Sequence, residues 1–198
     1  TGGNYTITAT GANGCTSTRN LSLSENRAVY PVTFNNALAS QLVSSTTYKL
    51  SGGTSDYMVG TGDYSGPGVT KLGENGGGGY DYNFNASVAG VGTHIITFTT
   101  TSPQTGCTNT ATNTITVYPS VDVTFNGVLA SQCVSSNTYT LTGGSPAGGT
   151  YSGNGVTGTN FDASVAGVGA HTITYTYIDP VSGFTYTATK DINVYALN

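Results

Sequence analysis

The sequence predicts an all-β chain of tandem antiparallel β-sandwiches stacked end to end. Three observations support this: a repeated stretch, an enrichment in strand-forming residues, and turn signals at short intervals. The stretch 84–98 (FNASVAGVGTHIITF) returns seventy-seven residues later as 161–175 (FDASVAGVGAHTITY). Recurrence at a fixed offset is typical of a repeat architecture, so the chain is predicted to contain one domain twice.

The composition favours strands and a packed core. Only 7% of the residues are charged, against about a quarter in ordinary globular domains. The chain is nevertheless 36% hydrophobic and contains 14 Tyr and 6 Phe, so it has enough bulky material to bury. Thr, Tyr, Val and Ile, which form strands well, are abundant, and no apolar period of 3.6 residues persists. Little helix is therefore expected.

Turn signals divide the chain into three parts. Repeat 1 is predicted at residues 28–118 and repeat 2 at residues 119–198, each with six or seven short strands, as in an antiparallel sandwich. Residues 1–27 match only the last two strands of a repeat, so they are predicted to be the closing hairpin of a preceding, truncated repeat. Residue 1 already lies in a strand-like pattern, and we expect the sequence to be an excerpt of a longer or processed chain.

The two repeats differ in length. Val32-Thr33-Phe34 matches Val123-Thr124-Phe125 at an offset of 91, and this offset falls to 77 at the repeated stretch, so repeat 1 has fourteen extra residues. About four of them lie before Tyr64. About ten lie between Thr70 and Phe84, in a Gly- and Tyr-rich insertion.

Several classes of function are disfavoured. The net charge is −4 and the five Lys and Arg residues are dispersed, so no nucleic-acid surface is predicted. No apolar run approaches the roughly 20 residues of a membrane-spanning helix, so no membrane insertion is expected in this segment. The nine acidic residues are scattered and suggest no catalytic constellation, although two of them could still pair in space as in a glycosidase. The sequence therefore predicts no enzyme, no cofactor and no metal site.

The two histidines, His94 and His171, occupy the same position in separate repeats. They cannot share a metal ion within one sandwich. In the alternating pattern, His171 falls on the same face as Ile173 and Tyr175. A polar ring at the start of a late strand can bind nearby backbone, as in a tyrosine corner. Both histidines are therefore interpreted as structural ties.

The tyrosines around the insertion are the candidate ligand-binding residues. Tyr80 and Tyr82 follow a run of glycines, and Tyr57 and Tyr64 precede it. Aromatic rings on a flexible loop could stack on sugar rings, although the absence of Trp weakens that interpretation. The favoured alternative is that Tyr80, Tyr82 and Phe84 simply extend a core strand.

The three cysteines occupy two kinds of position and are disulfide candidates. Cys15 and Cys107 follow a turn glycine in a closing hairpin, where repeat 2 has Phe184. Cys133 lies before an early strand, where repeat 1 has Leu42. If the pairing were within a repeat, positions 42 and 107 and positions 133 and 184 would form the bonds, and each pair lacks one cysteine.

Two other pairings are open. In an immunoglobulin-like sandwich the early position lies at the pole that faces the next domain, and the closing hairpin lies at the opposite pole. An interdomain bond would then join position 42 to position 184, both non-cysteine in this chain. Cys107 and Cys133 would pair with domains outside the chain, if the Cα atoms come within about 7 Å. A direct Cys107–Cys133 bond is the third option.

Three stretches carry a family resemblance: GGTYSGNGV (148–156), GCTNTATNTITV (106–117) and the repeated stretch at 161–177. Over essentially its whole length the chain resembles the tandem immunoglobulin-like repeats of giant cell-surface adhesins of the Bacteroidota, of the gliding-motility adhesin SprB type. It departs from them in the insertion of repeat 1 and in the non-cysteine residues Leu42 and Phe184.

The resemblance implies an extracellular, non-catalytic stalk on the outer surface of a Gram-negative bacterium, exported by type 9 secretion. Its partners would be neighbouring repeats of the same long chain, and surface polysaccharide or other cells. Two alternatives stay open: an ancillary carbohydrate-binding module of a secreted enzyme, and a subunit of a self-assembling extracellular filament in which another chain completes the hairpin 1–27.

Overall fold

The structure, a computed structural model, describes residues 3–23, 31–55, 62–76, 78–102, 106–135 and 137–197. Strands dominate this part of the chain, and the predicted all-β fold class is confirmed. Two compact units are present. One comprises Thr1–Leu38, Thr47–Asn85 and His94–Ile115, and the other Ala39–Thr46, Ala86–Thr93 and Thr116–Asn198. The boundaries predicted for the repeats and their end-to-end stacking stay predictions, and "repeat 1" and "repeat 2" continue to denote residues 28–118 and 119–198.

The first element is a two-stranded hairpin of β1 (Gly3–Thr10) and β2 (Thr16–Leu23). Its turn uses Gly14, whose φ of 77° lies in the left-handed region that glycine adopts without strain. Tyr5 lies opposite Leu21, and Ile7 lies two residues further on the same face of β1. All three of these apolar side chains are exposed. The hairpin therefore presents an uncovered apolar face.

The described residues of repeat 1 form nine strands and one helical turn. In chain order they are β3 (Val32–Phe34), β4 (Gln41–Leu42), β5 (Tyr48–Lys49), β6 (Gly53–Ser55), β7 (Asp63–Ser65), β8 (Val69–Glu74), β9 (Tyr80–Phe84), α1 (Ala86–Ala89), β10 (Gly92–Thr101) and β11 (Thr108–Tyr118).

Repeat 2 contains the same succession of elements. They are β12 (Thr124–Phe125), β13 (Gln132–Cys133), β14 (Tyr139–Thr140), β15 (Gly144–Ser145), β16 (Thr150–Ser152), β17 (Val156–Thr157), β18 (Asn160–Phe161), α2 (Ala163–Ala166), β19 (Gly169–Ile178) and β20 (Thr185–Tyr195).

The sheets have the same strand order in both repeats. A four-stranded sheet runs β4-β11-β10-β7 in repeat 1 and β13-β20-β19-β16 in repeat 2. A three-stranded sheet runs β5-β9-β8 and β14-β18-β17, and a short ribbon pairs β3 with β6 and β12 with β15. This is the arrangement of an immunoglobulin-like sandwich. The duplication seen in the sequence is thus a duplication of topology.

One pairing in each four-stranded sheet is parallel. β4 runs parallel to β11, with Leu42 opposite Tyr118. β13 runs parallel to β20, with Cys133 opposite Tyr195. An early strand of each repeat is therefore bound alongside its last strand and points in the same direction.

The core of repeat 2 lies between its four-stranded sheet and its three-stranded sheet. Alternate residues of β19 and β20 point inward, because successive side chains of a strand face opposite sides. Ile173 and Tyr175 of β19 and Ile192 and Val194 of β20 pack in one buried cluster with Phe161 of the other sheet. The corresponding residues of repeat 1 are also buried, namely Phe84, Ile96, Phe98, Ile115 and Val117. The alternating apolar residues of the sequence thus become the inner faces of the sheets.

The repeated Ala-Ser-Val-Ala stretch forms a four-residue helical turn, α1 or α2. In repeat 2 the Asp162 carboxylate accepts hydrogen bonds from the backbone N–H groups of Ser164 (2.9 Å) and Val165 (3.3 Å), which caps α2. Gly167 ends the turn with a φ of 82°. In repeat 2, a capped helical turn rather than an open loop therefore connects β18 to β19.

Candidate functional site

The Gly- and Tyr-rich insertion lengthens one hairpin of repeat 1. Its strands β8 and β9 cover Val69–Glu74 and Tyr80–Phe84, whereas their counterparts in repeat 2 span only Val156–Thr157 and Asn160–Phe161. The register between β8 and β9 shifts between Lys71 and Glu74. A shift of this kind inserts residues on one strand and turns it locally.

The four tyrosines predicted to bind a ligand have different environments. Tyr82 is only 3% exposed and belongs to the core. Tyr64 is half-buried, and its hydroxyl accepts a hydrogen bond from the N–H of Gly53 at 2.8 Å. Tyr80 is 38% exposed, and Tyr57 lies outside the described residues. Of the three described tyrosines, only Tyr80 offers an accessible ring.

A polar cluster fixes the lengthened hairpin. The Asp63 carboxylate accepts hydrogen bonds from the Tyr82 hydroxyl and from Lys71 Nζ, the latter at 3.0 Å. The same ammonium lies 3.5 Å from the centre of the Tyr80 ring, a cation–π contact. β7, β8 and β9 are thus connected by one carboxylate and one ammonium.

This cluster shifts the ionisation of its members. The hydrogen bonds from Tyr82 and Lys71 favour the carboxylate, so they hold the pKa of Asp63 below its usual value. Burial, together with the hydrogen bond to Asp63, raises the pKa of the Tyr82 phenol. The hydrogen bond to Asp63 also raises the pKa of Lys71. At neutral pH, Asp63 and Lys71 are therefore both charged, while the Tyr82 phenol is neutral.

We expect the free energy of unfolding to fall as the pH drops through about 4 and below. The folded-state pKa of Asp63 is lowered, so its contribution is present above the unfolded-state pKa and is lost as the pH falls through the folded value. Asp63→Asn should lower the free energy of unfolding at pH 7, and that free energy should then fall less steeply as the pH drops. Urea unfolding from pH 3 to pH 7 measures both effects. Asp81→Asn, which alters an exposed ion pair with Lys49, is the control. A curve for Asp63→Asn that runs parallel to the wild-type curve would contradict the assignment.

A cleft of about 190 Å³ opens beside Tyr80 in repeat 1. It is lined by the segment 49–53 and by Tyr64, Asn75, Tyr80, Asp81 and Phe98. Leu50 and Phe98 are buried and form apolar walls. At the rim, Lys49 Nζ lies 3.0 Å from Asp81 Oδ2. The cleft therefore combines apolar surface with an ion pair, and it depends on the insertion for Asn75, Tyr80 and Asp81.

The histidines lie where the alternation placed them. His171 is half-buried, and its Nε2 atom lies 2.8 Å from the carbonyl oxygen of Gly167, the residue that ends α2. Its ring also packs against Phe161, with centroids 6.2 Å apart. His94 makes the equivalent ring contact with Phe84 at 6.3 Å. These contacts connect the start of the closing hairpin to the core and to the preceding turn.

All three cysteines are exposed. Their counterparts in the other repeat are less accessible: Leu42, at the position of Cys133, and Phe184, at the position of Cys107, are both half-buried. Within the second unit, Leu42 lies opposite Tyr118, and the Tyr118 ring packs edge-on against Phe184 with centroids 6.3 Å apart. Positions 42 and 184 thus both neighbour Tyr118, the first as its strand partner and the second through a ring contact. The pairing schemes themselves stay predictions.

One hydrogen bond was not predicted from the sequence. In each repeat it connects a side chain of the last strand to the segment between the first two strands. Asn113 Nδ2 donates to the carbonyl oxygen of Asn36 at 2.7 Å. Lys190 Nζ, at the equivalent position of repeat 2, donates to the carbonyl oxygen of Gly127 at 2.6 Å. The signal available in the sequence was a polar side chain at an inward-facing position of the last strand in both repeats.

Neither a metal centre nor a membrane-spanning element emerges from the described residues. Within the ranges that the structure describes, no group of three or more His, Cys, Asp and Glu side chains is placed to hold a metal ion. Within the same ranges, no helix is long and apolar enough to span a bilayer.

No family model and no curated protein matches the chain. Among solved structures, it is similar to the endo-fucoidan hydrolase MfFcnA4 from glycoside hydrolase family 107, with 16% identity and a TM-score of 0.36, over 99% of this chain and 34% of that one. It is also similar to the insect immune protein hemolin, with 12% identity and a TM-score of 0.34, over 98% of this chain and 56% of hemolin. The chain thus spans about a third of the hydrolase and just over half of hemolin.

Proposed function

We propose that this chain is a non-catalytic repeat segment of a secreted cell-surface adhesin or stalk, and that its repeats resist mechanical tension. The observation that carries the proposal is the parallel pairing of an early strand with the last strand in each repeat, β4 with β11 and β13 with β20. Tension is the load that a stalk or an adhesin experiences when its two ends are pulled apart.

The direction of these strands decides how tension acts on them. When a repeat is pulled from both ends, the force on the early strand points toward its N-terminus and the force on the last strand toward its C-terminus. Because the two strands are parallel, these forces are opposed along the strand axes. The hydrogen bonds between the strands are then loaded in shear and must break together, whereas an antiparallel pair pulled at one end opens one bond at a time.

Specific hydrogen bonds hold each parallel pair. The N–H of Val43 donates to the carbonyl oxygen of Tyr118 at 2.8 Å, and the N–H of Val134 donates to that of Tyr195 at 2.9 Å. Asn113 and Lys190 add the side-chain ties from the last strand to the opening segment. Both repeats therefore have the same connection, and in each it includes a side-chain hydrogen bond to a backbone carbonyl.

The exposed hairpin supports a repeat array. Ile7 lies opposite Arg19, five residues after the turn glycine Gly14, and Tyr175 lies opposite Ala188, five residues after Gly183. These positions are equivalent, yet Ile7 is 58% exposed and Tyr175 is 2% exposed. An apolar face at core positions is what the closing hairpin of a further sandwich would present.

Single-molecule force spectroscopy tests the proposal. A chain held at its two termini should show two main unfolding events, each releasing roughly 25 nm, because 80 to 91 residues extend by about 3.5 Å each, less the folded length. The variant Val134→Pro removes the N–H that binds Tyr195. It should raise the unfolding rate of repeat 2 under force by about tenfold, as expected for one lost hydrogen bond.

The two repeats control for each other. Val43→Pro should weaken repeat 1 alone and Val134→Pro repeat 2 alone, and the longer contour length of repeat 1 identifies which event is which. Unfolding forces that are unchanged in both variants would contradict a shear connection at these strands.

The proposed setting follows from the mechanical role. The partners are neighbouring repeats of the same chain, with surface polysaccharide or other cells at the binding end, and the location is the outer surface of a Gram-negative bacterium. The support is the low charge and the duplicated sandwich, which suit an extended surface protein. Surface labelling of intact cells with an antibody raised against this chain tests the location.

A further inference from the structure

The cleft beside Tyr80 has the chemistry of a small binding site, and the mechanical role makes no use of it. Its walls are apolar where Leu50 and Phe98 border it, and its rim carries the Lys49–Asp81 pair at 3.0 Å. Specific small-molecule sites combine apolar walls with a few placed polar groups in this way. We propose that the cleft binds one pyranose ring of a neutral glycan.

The polar rim matches the hydroxyl groups of a sugar. A carboxylate has two acceptor oxygens and an ammonium has three N–H donors, while each sugar hydroxyl both donates and accepts. Lys49 Nζ binds Oδ2 of Asp81, so the pair presents acceptor and donor atoms side by side to two neighbouring hydroxyl groups. The opposite charges of the pair compensate each other. A neutral ring therefore fits the rim better than an acidic or a basic one.

The apolar part matches the C–H face of the same ring. Aromatic side chains combine a large apolar surface with a polar group, and Tyr80 lines the cleft with an accessible ring. Lys71 lies 3.5 Å from the centre of that ring and restrains it before any ligand arrives. A preorganised wall lowers the entropy that binding must overcome.

The size of the cleft limits the ligand. Sites for drug-sized molecules occupy about 300–1,000 Å³, whereas this cleft measures about 190 Å³. One ring fills it, and further sugar units of a glycan would extend into solvent. For a ligand of about a dozen heavy atoms at an open site we expect a Kd on the order of 1 mM.

Repeat 2 provides a natural comparison. It has Thr140 where repeat 1 has Lys49, and Leu141 where repeat 1 has Leu50. It lacks the insertion that supplies Tyr80 and Asp81. The apolar wall at Leu50 is therefore common to both repeats. The Lys49–Asp81 pair and the exposed Tyr80 ring belong to repeat 1 alone. Binding is expected in repeat 1 alone.

An NMR titration of the isotope-labelled chain tests the inference. The probes are the methyl pyranosides of glucose, galactose, mannose and xylose, with methyl glucuronide as an acidic probe. At least one neutral probe should shift the amide signals of residues 49–53 and of Tyr80 and Asp81, with a Kd near 1 mM. No shift with any neutral probe up to its solubility limit would overturn the proposal. So would shifts confined to repeat 2, or tighter binding of the glucuronide.

Matched variants separate the site from the fold. Lys49→Thr introduces the residue of repeat 2, and Asp81→Asn keeps the shape while removing the charge; each should raise the Kd at least tenfold. Asp191→Asn, which alters an exposed carboxylate of repeat 2 that binds Thr172, should leave the Kd unchanged. Unchanged affinity in both cleft variants would overturn the assignment. The force measurements do not depend on this outcome, because the parallel strand pairs lie elsewhere in the fold.

Discussion

Replacing Tyr175 with alanine should lower the free energy of unfolding of repeat 2 by about 3–5 kcal/mol, the usual cost of truncating a buried aromatic residue. The Tyr175 ring packs against Tyr151 with centroids 4.9 Å apart. Its hydroxyl donates to the carbonyl oxygen of Pro146 at 2.5 Å and accepts from the N–H of Gly149 at 2.8 Å. Truncation therefore removes buried surface and leaves two backbone groups without this partner.

The matched control is Ile7→Ala, at the equivalent position of the exposed hairpin. Because Ile7 is 58% exposed, its truncation should change stability by less than about 0.5 kcal/mol. Tyr175→Phe, which introduces the residue found at position 98 of repeat 1, should cost about 1–3 kcal/mol through the hydrogen bonds alone.

Hydrogen exchange of amides in β19 and β20 measures the stability of repeat 2 separately, which a single unfolding curve of a multidomain chain does not. If Ile7→Ala destabilised the chain as strongly as Tyr175→Ala, the hairpin face would have to be covered, and the array interpretation of that face would fail.

The double variant Leu42→Cys with Phe184→Cys should form a disulfide on air oxidation and stabilise the second unit. Leu42 is the strand partner of Tyr118, Phe184 packs against the Tyr118 ring, and both residues are half-buried. A cross-link across so long a loop typically contributes about 2–4 kcal/mol, provided that the Cα atoms approach within about 7 Å. This is the pair of positions that the interdomain scheme predicts.

The experiment requires a background in which Cys15, Cys107 and Cys133 are replaced by serine. The native thiols then cannot form disulfides with the two new cysteines. The expected readout is a mass lower by two hydrogen atoms and a peptide containing both new cysteines after digestion without reductant. Leu42→Cys with Val165→Cys, whose partner is an exposed residue of α2, is the control. A double variant that keeps two titratable thiols would exclude this scheme and leave the pairings within a repeat and between Cys107 and Cys133.

The mechanical proposal and the cleft concern different parts of repeat 1. The parallel pair is the scaffold feature that both repeats share, and we propose that it carries the load. The cleft arises from the insertion, where the two repeats differ. A stalk in which one repeat also contacts a sugar would combine length with weak adhesion. A millimolar site of this kind becomes effective only when many copies act together.

The sequence alone determined the duplication, the strand-rich fold and the turn of each closing hairpin. Strict alternation in β19 and β20 specifies which residues face inward, because a strand has a period of two and a shift of one residue would expose the whole core. The inward position of His171 followed from the same rule. These features depend on residues that are close together in the chain, and local pattern is sufficient to predict them.

Only the tertiary structure decided the rest. β4 and β13 are two residues long, too short for a periodic signal, and their parallel pairing depends on partners more than sixty residues away. Tyr80 and Tyr82 lie on the same face of β9, yet Tyr82 is 3% exposed and packs in the core, while Tyr80 is 38% exposed. Long-range packing distinguishes such residues, and a sequence pattern does not contain that information.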